Sequence, residues 1–204
     1  MKNTVQYIAG VMVLAFVSCE NPADATTDAQ VGEAQEVASA SAEAVTYTFT
    51  ENSKITFIGS KMTGTKSGGF EKTQGEFKLV DGKPVSGSFT IDMNSIYSEN
   101  EKLTAHLKNE DFFNVPQYPE AKFEVTEFGA LVDGSQQVSG NLTMLGVTKN
   151  ITFPAQVTQT EEMIMLKSKF DIKRHDWGIV YKGKPDDLIR NEVIIEFDLV
   201  AKVQ

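Results

Sequence analysis

Apolar and polar residues alternate with a period of two from residue 45 onward, and this pattern restricts the fold more than any other feature of the chain. In VSGSFTIDM (85–93), every second residue is apolar or glycine and the intervening residues are polar. Such alternation places successive side chains on opposite faces of a β-strand. The pattern predicts eight or nine strands, the others in VTYTFT, KITFIGSKM, GEFKLV, AKFEVTEF, VSGNLTML, NITFPAQV, MIMLKSKFDI and VIIEFDLVAKV.

Turn sequences such as DGK at 81–83 and DGS at 133–135 separate these stretches. Many short alternating strands joined by turns are typical of an antiparallel sandwich or a closed barrel. Only residues 100–111 have a helical pattern, with Leu103 and Leu107 four residues apart. We therefore predict an all-β fold of about eight strands with one short helix.

Small residues interrupt the inward faces of the predicted strands, at Gly87, Ala121, Gly140 and Ala155. An eight-stranded barrel either fills its interior with side chains or holds one small ligand. The small residues leave room for a ligand, or they mark bulges and bends in the strands. The sequence leaves both interpretations open.

The first nineteen residues have the features of an export signal. Lys2 precedes the apolar run IAGVMVLAFV at 8–17, which is too short to span a bilayer. The following FVSC resembles a bacterial lipobox, although Phe16 stands where that motif prefers Leu. We expect residues 1–19 to be a lipoprotein signal peptide, with Cys19 lipidated at the start of the mature protein. A plain signal peptide with an incidental cysteine is the alternative.

Residues 20–44 are rich in Ala, Ser, Thr and acidic residues and contain no Lys or Arg. Because such a composition buries little apolar surface, we predict a disordered acidic tether of roughly 25 to 30 Å. Removing Lys2 (+1) and the six acids of the tether (−6) from the total of −9 leaves −4 for the barrel domain, residues 45–204. A mildly acidic domain is a poor nucleic-acid binder.

The stretch HLKNEDFFNVPQYP at 106–119 raises the possibility of catalysis. His106 and Glu110 are four residues apart on the predicted helix, but two ligands are too few for a metal, and His175 is the only other histidine. No HExxH motif and no Gly-x-Ser-x-Gly motif is present. We therefore predict no catalytic residue, no metal and no cofactor. An enzyme that uses His106 with Glu110 or Asp111 is the remaining alternative.

Aromatic and cationic residues indicate where an apolar ligand could enter. Phe112 and Phe113 are adjacent, so we expect one of them to pack in the core and the other to reach a cavity mouth. KRHDWG at 173–178 suits an amphipathic rim, in which Trp177 covers an apolar chain and Arg174 meets a polar head. Trp177 could equally close the barrel bottom.

Several motifs in order resemble the YceI family. They are His-Leu at 106–107, Asp-Phe-Phe at 111–113, Tyr-Pro at 118–119, Phe123, and GNLTMLGVTK at 140–149. The resemblance covers about residues 45–202. The Arg-Asp pair that often precedes His-Leu in the family is replaced here by Thr-Ala.

The resemblance implies a lipocalin-like antiparallel barrel whose cavity holds a long-chain polyisoprenoid lipid or isoprenoid quinone. Such a protein would store or move that lipid in the bacterial cell envelope, anchored preferentially to the outer membrane and facing the periplasm. A homodimer is also compatible with the family. The alternative is a structural or protein-interaction module with a filled barrel. The candidate ligand-binding residues are Phe89, His106, Phe112, Phe113, Phe123, Leu142, Arg174 and Trp177.

Overall fold

The computed structural model describes residues 21–204, which form fourteen β-strands, one α-helix and three short 3-10 turns. The helix is α1 (Glu101–Leu107), and the 3-10 turns are Pro22–Ala25, Met93–Ser95 and Arg174–Trp177. The strands are β1 (Thr27–Asp28), β2 (Gln30–Glu33), β3 (Val45–Phe49), β4 (Lys54–Lys61), β5 (Gly64–Phe70), β6 (Thr73–Val80), β7 (Lys83–Asp92), β8 (Ile96–Ser98), β9 (Glu120–Phe128), β10 (Ser135–Met144), β11 (Val147–Gln159), β12 (Met163–Lys173), β13 (Gly183–Lys184) and β14 (Asp187–Val203).

The strands close into an antiparallel barrel with eight positions around its circumference, which confirms the predicted fold class. Three positions are each made of two collinear strands: β3 with β4, β6 with β5, and β7 with β8. β9, β10, β11, β12 and β14 complete the circle, and β12 pairs with β14 along eleven residues to close it. Closure removes the edge strands of an open sheet, although β11 and β12 pair with each other over only four residues.

The two ends of the barrel differ. At one end, here called the mouth end, lie α1, the turns at 108–119, and the segment 174–187. At the opposite end lie the short connections at 81–82, 129–134 and 160–162. α1 begins as predicted, since the side chain of Asn100 accepts a hydrogen bond from the Leu103 N–H and caps the helix. It ends earlier than predicted, at Leu107, because the Leu107 and Lys108 carbonyls accept from Phe113 and Val115 in the turns that follow.

Two segments that the sequence indicated as loops are partly strands. GTKSGG at 64–69 has the pattern of a flexible hairpin tip but lies in β5. Gly68 and Gly69 are needed there because a Cβ at either would lie within 3 Å of atoms of Tyr97. GKPDDLIRNE at 183–192 includes the start of β14, which bulges between Ile189 and Val193.

Residues 21–38, here called the strap, lie along the outside of the barrel. β1 pairs with β12 in parallel and β2 pairs with β11 antiparallel, so the strap fills a gap between these two barrel strands. Beyond β2, the Gln35 N–H donates to the side chain of Asn141, and the Ala38 N–H donates to the Val125 carbonyl. The described part of the predicted tether is therefore ordered.

The gap, here called the seam, has a cause in the sequence. β11 pairs directly with β12 only from Gln156 to Gln159. The Val157 N–H donates toward β10, to the Gly134 carbonyl, and N–H groups alternate along a strand, so the nitrogen of Pro154 faces β12. Proline has no N–H to continue the ladder, and the Pro154 carbonyl accepts instead from the Ser168 hydroxyl at 2.6 Å.

The strap covers polar side chains on the outside of the barrel and hydrogen-bonds to two of them, Asn141 and Asp171. Asn141, Asn150 and Asp171 point away from the barrel interior, yet each is at least 94% buried. The Asn141 amide donates to the Gln35 carbonyl at 2.7 Å. The prediction of a disordered tether was wrong for the strap, because its order comes from hydrogen bonding to strand edges and not from apolar burial.

The predicted signal peptide and Cys19 lie outside the described residues. No helix within 21–204 has the length and apolar character needed to cross a membrane.

Candidate functional site

An apolar cavity of about 130 Å³ occupies the half of the barrel nearest the mouth end. Its accessible wall is apolar throughout. Inward-facing residues of seven strands (β4, β5, β7, β9, β10, β12 and β14) and of the segments around the mouth line it: Ile55, Phe57, Gly59, Phe70, Phe89, Ile91, Met93, Leu107, Phe112, Phe113, Ala121, Leu142, Met144, Phe170, Ile172, Arg174, Ile179, Ile189, Val193, Ile195 and Phe197. Such a wall favours an aliphatic ligand, because it offers no hydrogen bond to a polar one.

The other half of the barrel is filled by aromatic rings. A void of only about 10 Å³ remains among Phe77, Phe123, Phe153 and their neighbours, which is hardly the space of one water molecule. The glycines on the inward faces explain this packing. A Cβ at Gly140 would lie 2.2 Å from the ring of Phe123, and one at Gly87 would lie 2.7 Å from the ring of Phe77.

These glycines therefore make room for neighbouring phenylalanines and not for a ligand. Of the four small residues that the sequence singled out, Ala121 alone lines the cavity. Gly59, which the sequence reasoning missed, does leave open space. Its nearest potential neighbour is 4.0 Å from where a Cβ would lie.

Five of the eight candidate ligand-binding residues line the cavity: Phe89, Phe112, Phe113, Leu142 and Arg174. The other three lie elsewhere. Phe123 is buried in the filled half, where its ring stacks on that of Phe89 with centroids 5.1 Å apart. Trp177 is fully buried behind the wall and donates its indole N–H to the Leu142 carbonyl at 3.1 Å. His106 lies at the mouth.

Three rings close the mouth. His106, Phe112 and Tyr181 contact one another with centroids 5.0, 5.1 and 5.3 Å apart. The His106 ring also shares a hydrogen bond with the Asp111 carboxylate, its Nε2 lying 2.9 Å from Oδ2. The hydrogen bond to Asp111 thus holds the His106 ring in place. We call the triangle formed by the rings of His106, Phe112 and Tyr181 the gate. Phe113 turns inward and packs edge-on against Phe70.

Arg174 fastens the segment behind the mouth to β14. Its Nε donates to the Arg190 carbonyl at 2.9 Å, and its Nη atoms donate to the carbonyls of Ile179 and Ile189. The residue is 96% buried, and this burial lowers the pKa of its guanidinium. An arginine nevertheless remains charged at neutral pH. Because the accessible wall is apolar, only the aliphatic stem of Arg174 contacts the cavity.

We expected the Arg174 guanidinium to meet a polar ligand head, and in this structure it is bound to three backbone carbonyls. Gly178 helps to place the arginine, since it ends the 3-10 turn with φ of 81°, a conformation that glycine adopts without strain. Among the described residues, no group of three or more His, Cys, Asp or Glu side chains is arranged to hold a metal ion.

Residues 47–201 match the YceI-like domain family. The UPF0312 protein of Pseudomonas putida strain F1 is 35% identical over 105 residues, which are 50% of this chain and 53% of that protein. A UPF0312 protein of Yersinia pestis strain Pestoides F is 36% identical over 93 residues, 45% and 48% of the two chains. The matched region thus spans about half the length of these relatives.

Solved structures resemble the barrel. BcnA of Burkholderia cenocepacia has a TM-score of 0.67 at 25% identity, covering 73% of this chain and 96% of BcnA. A polyisoprenoid binding domain from Saccharophagus degradans, implicated in plant cell wall breakdown, has a TM-score of 0.65 at 18% identity, covering 79% and 99% of the two chains. At that identity, the likeness to the second structure concerns the fold alone. With a family match over most of the barrel and with these shared folds, the chain belongs to the YceI-like family.

Proposed function

We propose that the protein binds a long-chain polyisoprenoid lipid or an isoprenoid quinone and stores or transports it in the bacterial cell envelope. The observation that carries this proposal is the wholly apolar wall of the cavity. Prenyl chains consist of carbon and hydrogen, and burying them yields roughly 25 cal/mol for each Å² removed from water. Binding of this kind requires no catalytic group.

The cavity is small for a long-chain ligand. A volume of about 130 Å³ is below the range of roughly 300 to 1,000 Å³ that is common for ligand pockets. A long chain therefore requires the mouth-end wall to widen. Phe112 and Phe113 are only half-buried, and the bulge of β14 after Ile189 interrupts the ladder beside them. At these places the wall can move outward with the smallest loss of free energy.

The relatives support the choice of ligand and leave its identity open. The structural neighbour from Saccharophagus degradans is described as a polyisoprenoid binding domain. Within the same proposal, Cys19 carries the acyl anchor, the outer membrane holds it, and the barrel faces the periplasm, singly or as a homodimer. We propose that the protein acts as a carrier and not as an enzyme.

The filled half of the barrel favours a second candidate function. A barrel that packs phenylalanines in one half resembles a structural scaffold, which would present its loops to another envelope protein. Under this alternative, the cavity is an imperfection of packing and takes up no lipid.

A direct test is mass spectrometry of the organic extract of the barrel and strap, residues 21–204, purified from bacteria without detergent. We expect one prenyl lipid or quinone per protein. A Gly59→Leu variant places a side chain in the open space of the cavity and should lose the ligand. Gly32→Leu is the matched control, because Gly32 lies in the strap with nothing within 4 Å of a Cβ. A parent protein that is empty and refuses added polyprenyl lipid would support the scaffold.

A further inference from the structure

Three large apolar side chains project into solvent at the mouth end. Met62 is 51% exposed, Val180 is 60% exposed and Leu188 is 47% exposed. Met62 and Leu188 are neighbours, because the Met62 N–H donates to the Leu188 carbonyl at 3.3 Å. Val180 follows Ile179, whose carbonyl is held by Arg174 in the same cluster of hydrogen bonds as the Ile189 carbonyl. We call these three residues the rim.

Two of the three rim residues are chain neighbours of residues that line the cavity. Ile179 and Ile189 line the cavity. Val180 directly follows Ile179, and Leu188 directly precedes Ile189. Isolated exposed apolar residues are common and need no explanation. An exposed group beside residues that line an apolar cavity is different, since a chain leaving the cavity would cross it.

The strap brings the start of the described chain to the same end. The Asn21 amide donates to Glu192 at 3.3 Å and its carbonyl oxygen accepts from Ser60 at 3.3 Å. Ser60 lies two residues before Met62, and Glu192 lies four residues after Leu188. The described chain therefore begins beside the rim.

The charge of the segment that carries Val180 and Leu188 does not oppose contact with a lipid surface. Residues 173–192 contain five Lys and Arg against four Asp and Glu, a net charge of +1 within a barrel domain of −4. Lys182 and Lys184 are exposed between Val180 and Leu188. Lys61 pairs with Asp187, so that carboxylate is already neutralised. Cations beside exposed apolar residues suit the interface between lipid headgroups and acyl chains.

From these three observations, we infer that the rim is a membrane-docking surface that sets the cavity mouth against the surface of a lipid bilayer. Met62, Val180 and Leu188 enter the acyl boundary, while Lys182 and Lys184 remain among the headgroups. This docking is additional to any acyl anchor, and it does not depend on which lipid the cavity holds. It would let a ligand pass between bilayer and cavity without crossing water.

The test is flotation of residues 21–204 with vesicles of phosphatidylethanolamine and phosphatidylglycerol. This segment holds the whole barrel and strap and lacks the apolar run at 8–17, which would bind membranes by itself. The rim variant is the double substitution Val180→Ser and Leu188→Ser. The matched control is Leu131→Ser and Val132→Ser, one leucine and one valine that are 57% and 62% exposed at the opposite end.

We expect the parent and the control to float with the vesicles. We expect the rim variant to bind the vesicles at least about tenfold more weakly than the parent. Circular dichroism of all three proteins checks that they are folded. A parent that does not bind, or a control that loses as much binding as the rim variant, would overturn the inference. A rim variant that instead converts a dimer into a monomer, with vesicle binding unchanged, would assign the rim to contact between two copies of the chain.

Discussion

The rings of Phe153 and Phe170 stack almost parallel, with centroids 4.2 Å apart and planes inclined by 7°. Phe153 belongs to β11 and Phe170 to β12, at the level where the two strands separate. Phe170 lines the cavity, whereas Phe153 lines the small void of the filled half. The pair therefore forms the floor of the cavity and joins two strands that no longer share backbone hydrogen bonds.

Phe153→Ala should lower the free energy of unfolding by about 3 to 5 kcal/mol. The substitution removes a ring that is 1% exposed and leaves the stack with Phe170 without a partner. Phe112→Ala is the control at the half-buried mouth, and we expect a loss of about 1 kcal/mol there. Urea unfolding followed by circular dichroism measures both. Equal losses at the two positions would show that Phe153 has no special role at the seam.

Trp177→Phe should cost about 1 to 3 kcal/mol of stability, because it removes the donor to the buried Leu142 carbonyl. Tyr47→Phe is the comparison, since it removes a hydrogen bond to the carbonyl of Glu161, an exposed residue, where water can take its place. We expect the second substitution to cost less. Trp177 is the only tryptophan, so circular dichroism and not fluorescence must follow unfolding. A Trp177→Phe variant as stable as the parent would contradict this account.

Tyr181→Ala should accelerate ligand exchange by about three- to tenfold, because it opens the gate between His106 and Phe112. Each ring contact is worth about 0.5 to 1.5 kcal/mol, and 1.4 kcal/mol corresponds to a factor of ten. Stopped-flow transfer of a fluorescent polyene lipid to vesicles measures the rate. Tyr97→Ala is a control, since Tyr97 is exposed outside the gate. Unchanged exchange in the Tyr181 variant would mean that ligands use another path.

The barrel could be predicted from the sequence because period-two alternation depends on local side-chain direction alone. The inward positions of Phe89 and Leu142 followed from the same rule, and both line the cavity. Phe123 obeys the rule as well, yet it packs against Gly140 in the filled half. Alternation identifies which residues face inward but not how far along the barrel an interior is hollow. That depends on contacts between strands distant in sequence.

The strap was missed for a different reason. Its composition is typical of a disordered segment, and the strand edges that order it become available only because Pro154 interrupts the ladder between β11 and β12. Outward-facing Asn141 and Asn150 gave no signal of burial in a sequence read alone. The composition of a segment indicates how much apolar surface it can bury. The strap is held instead by hydrogen bonds to backbone groups that the barrel strands leave unpaired.

Docking of the strap should depend on pH through the buried carboxyl of Asp171. The Asp171 carboxyl is 2% exposed, and burial raises its pKa, with further increases from Asp28 and Glu192. Opposing influences are a hydrogen bond from Thr26 and the charge of Lys173. The Thr26 Oγ1 lies 2.7 Å from Asp171 Oδ2 and 2.8 Å from the Ala23 carbonyl. One hydroxyl proton cannot serve two acceptors, so both contacts are satisfied when Asp171 carries a proton.

Because the folded state binds this proton more tightly than the unfolded state, the contribution of Asp171 to stability is fully present below the ordinary carboxyl pKa. It is lost as the pH rises through the raised value. Asp171→Asn should therefore flatten the pH dependence of the free energy of unfolding above the ordinary aspartate pKa of about 4 and stabilise the protein at pH values above the raised pKa. Asp198→Asn, which removes an exposed carboxylate paired with Lys167, is the control.

Hydrogen exchange of the Ala29 amide, which donates to the Asp171 carbonyl, reports on the strap itself. Faster exchange of that amide in Asp171→Asn at neutral pH would show that the charged carboxylate holds the strap, contrary to this prediction.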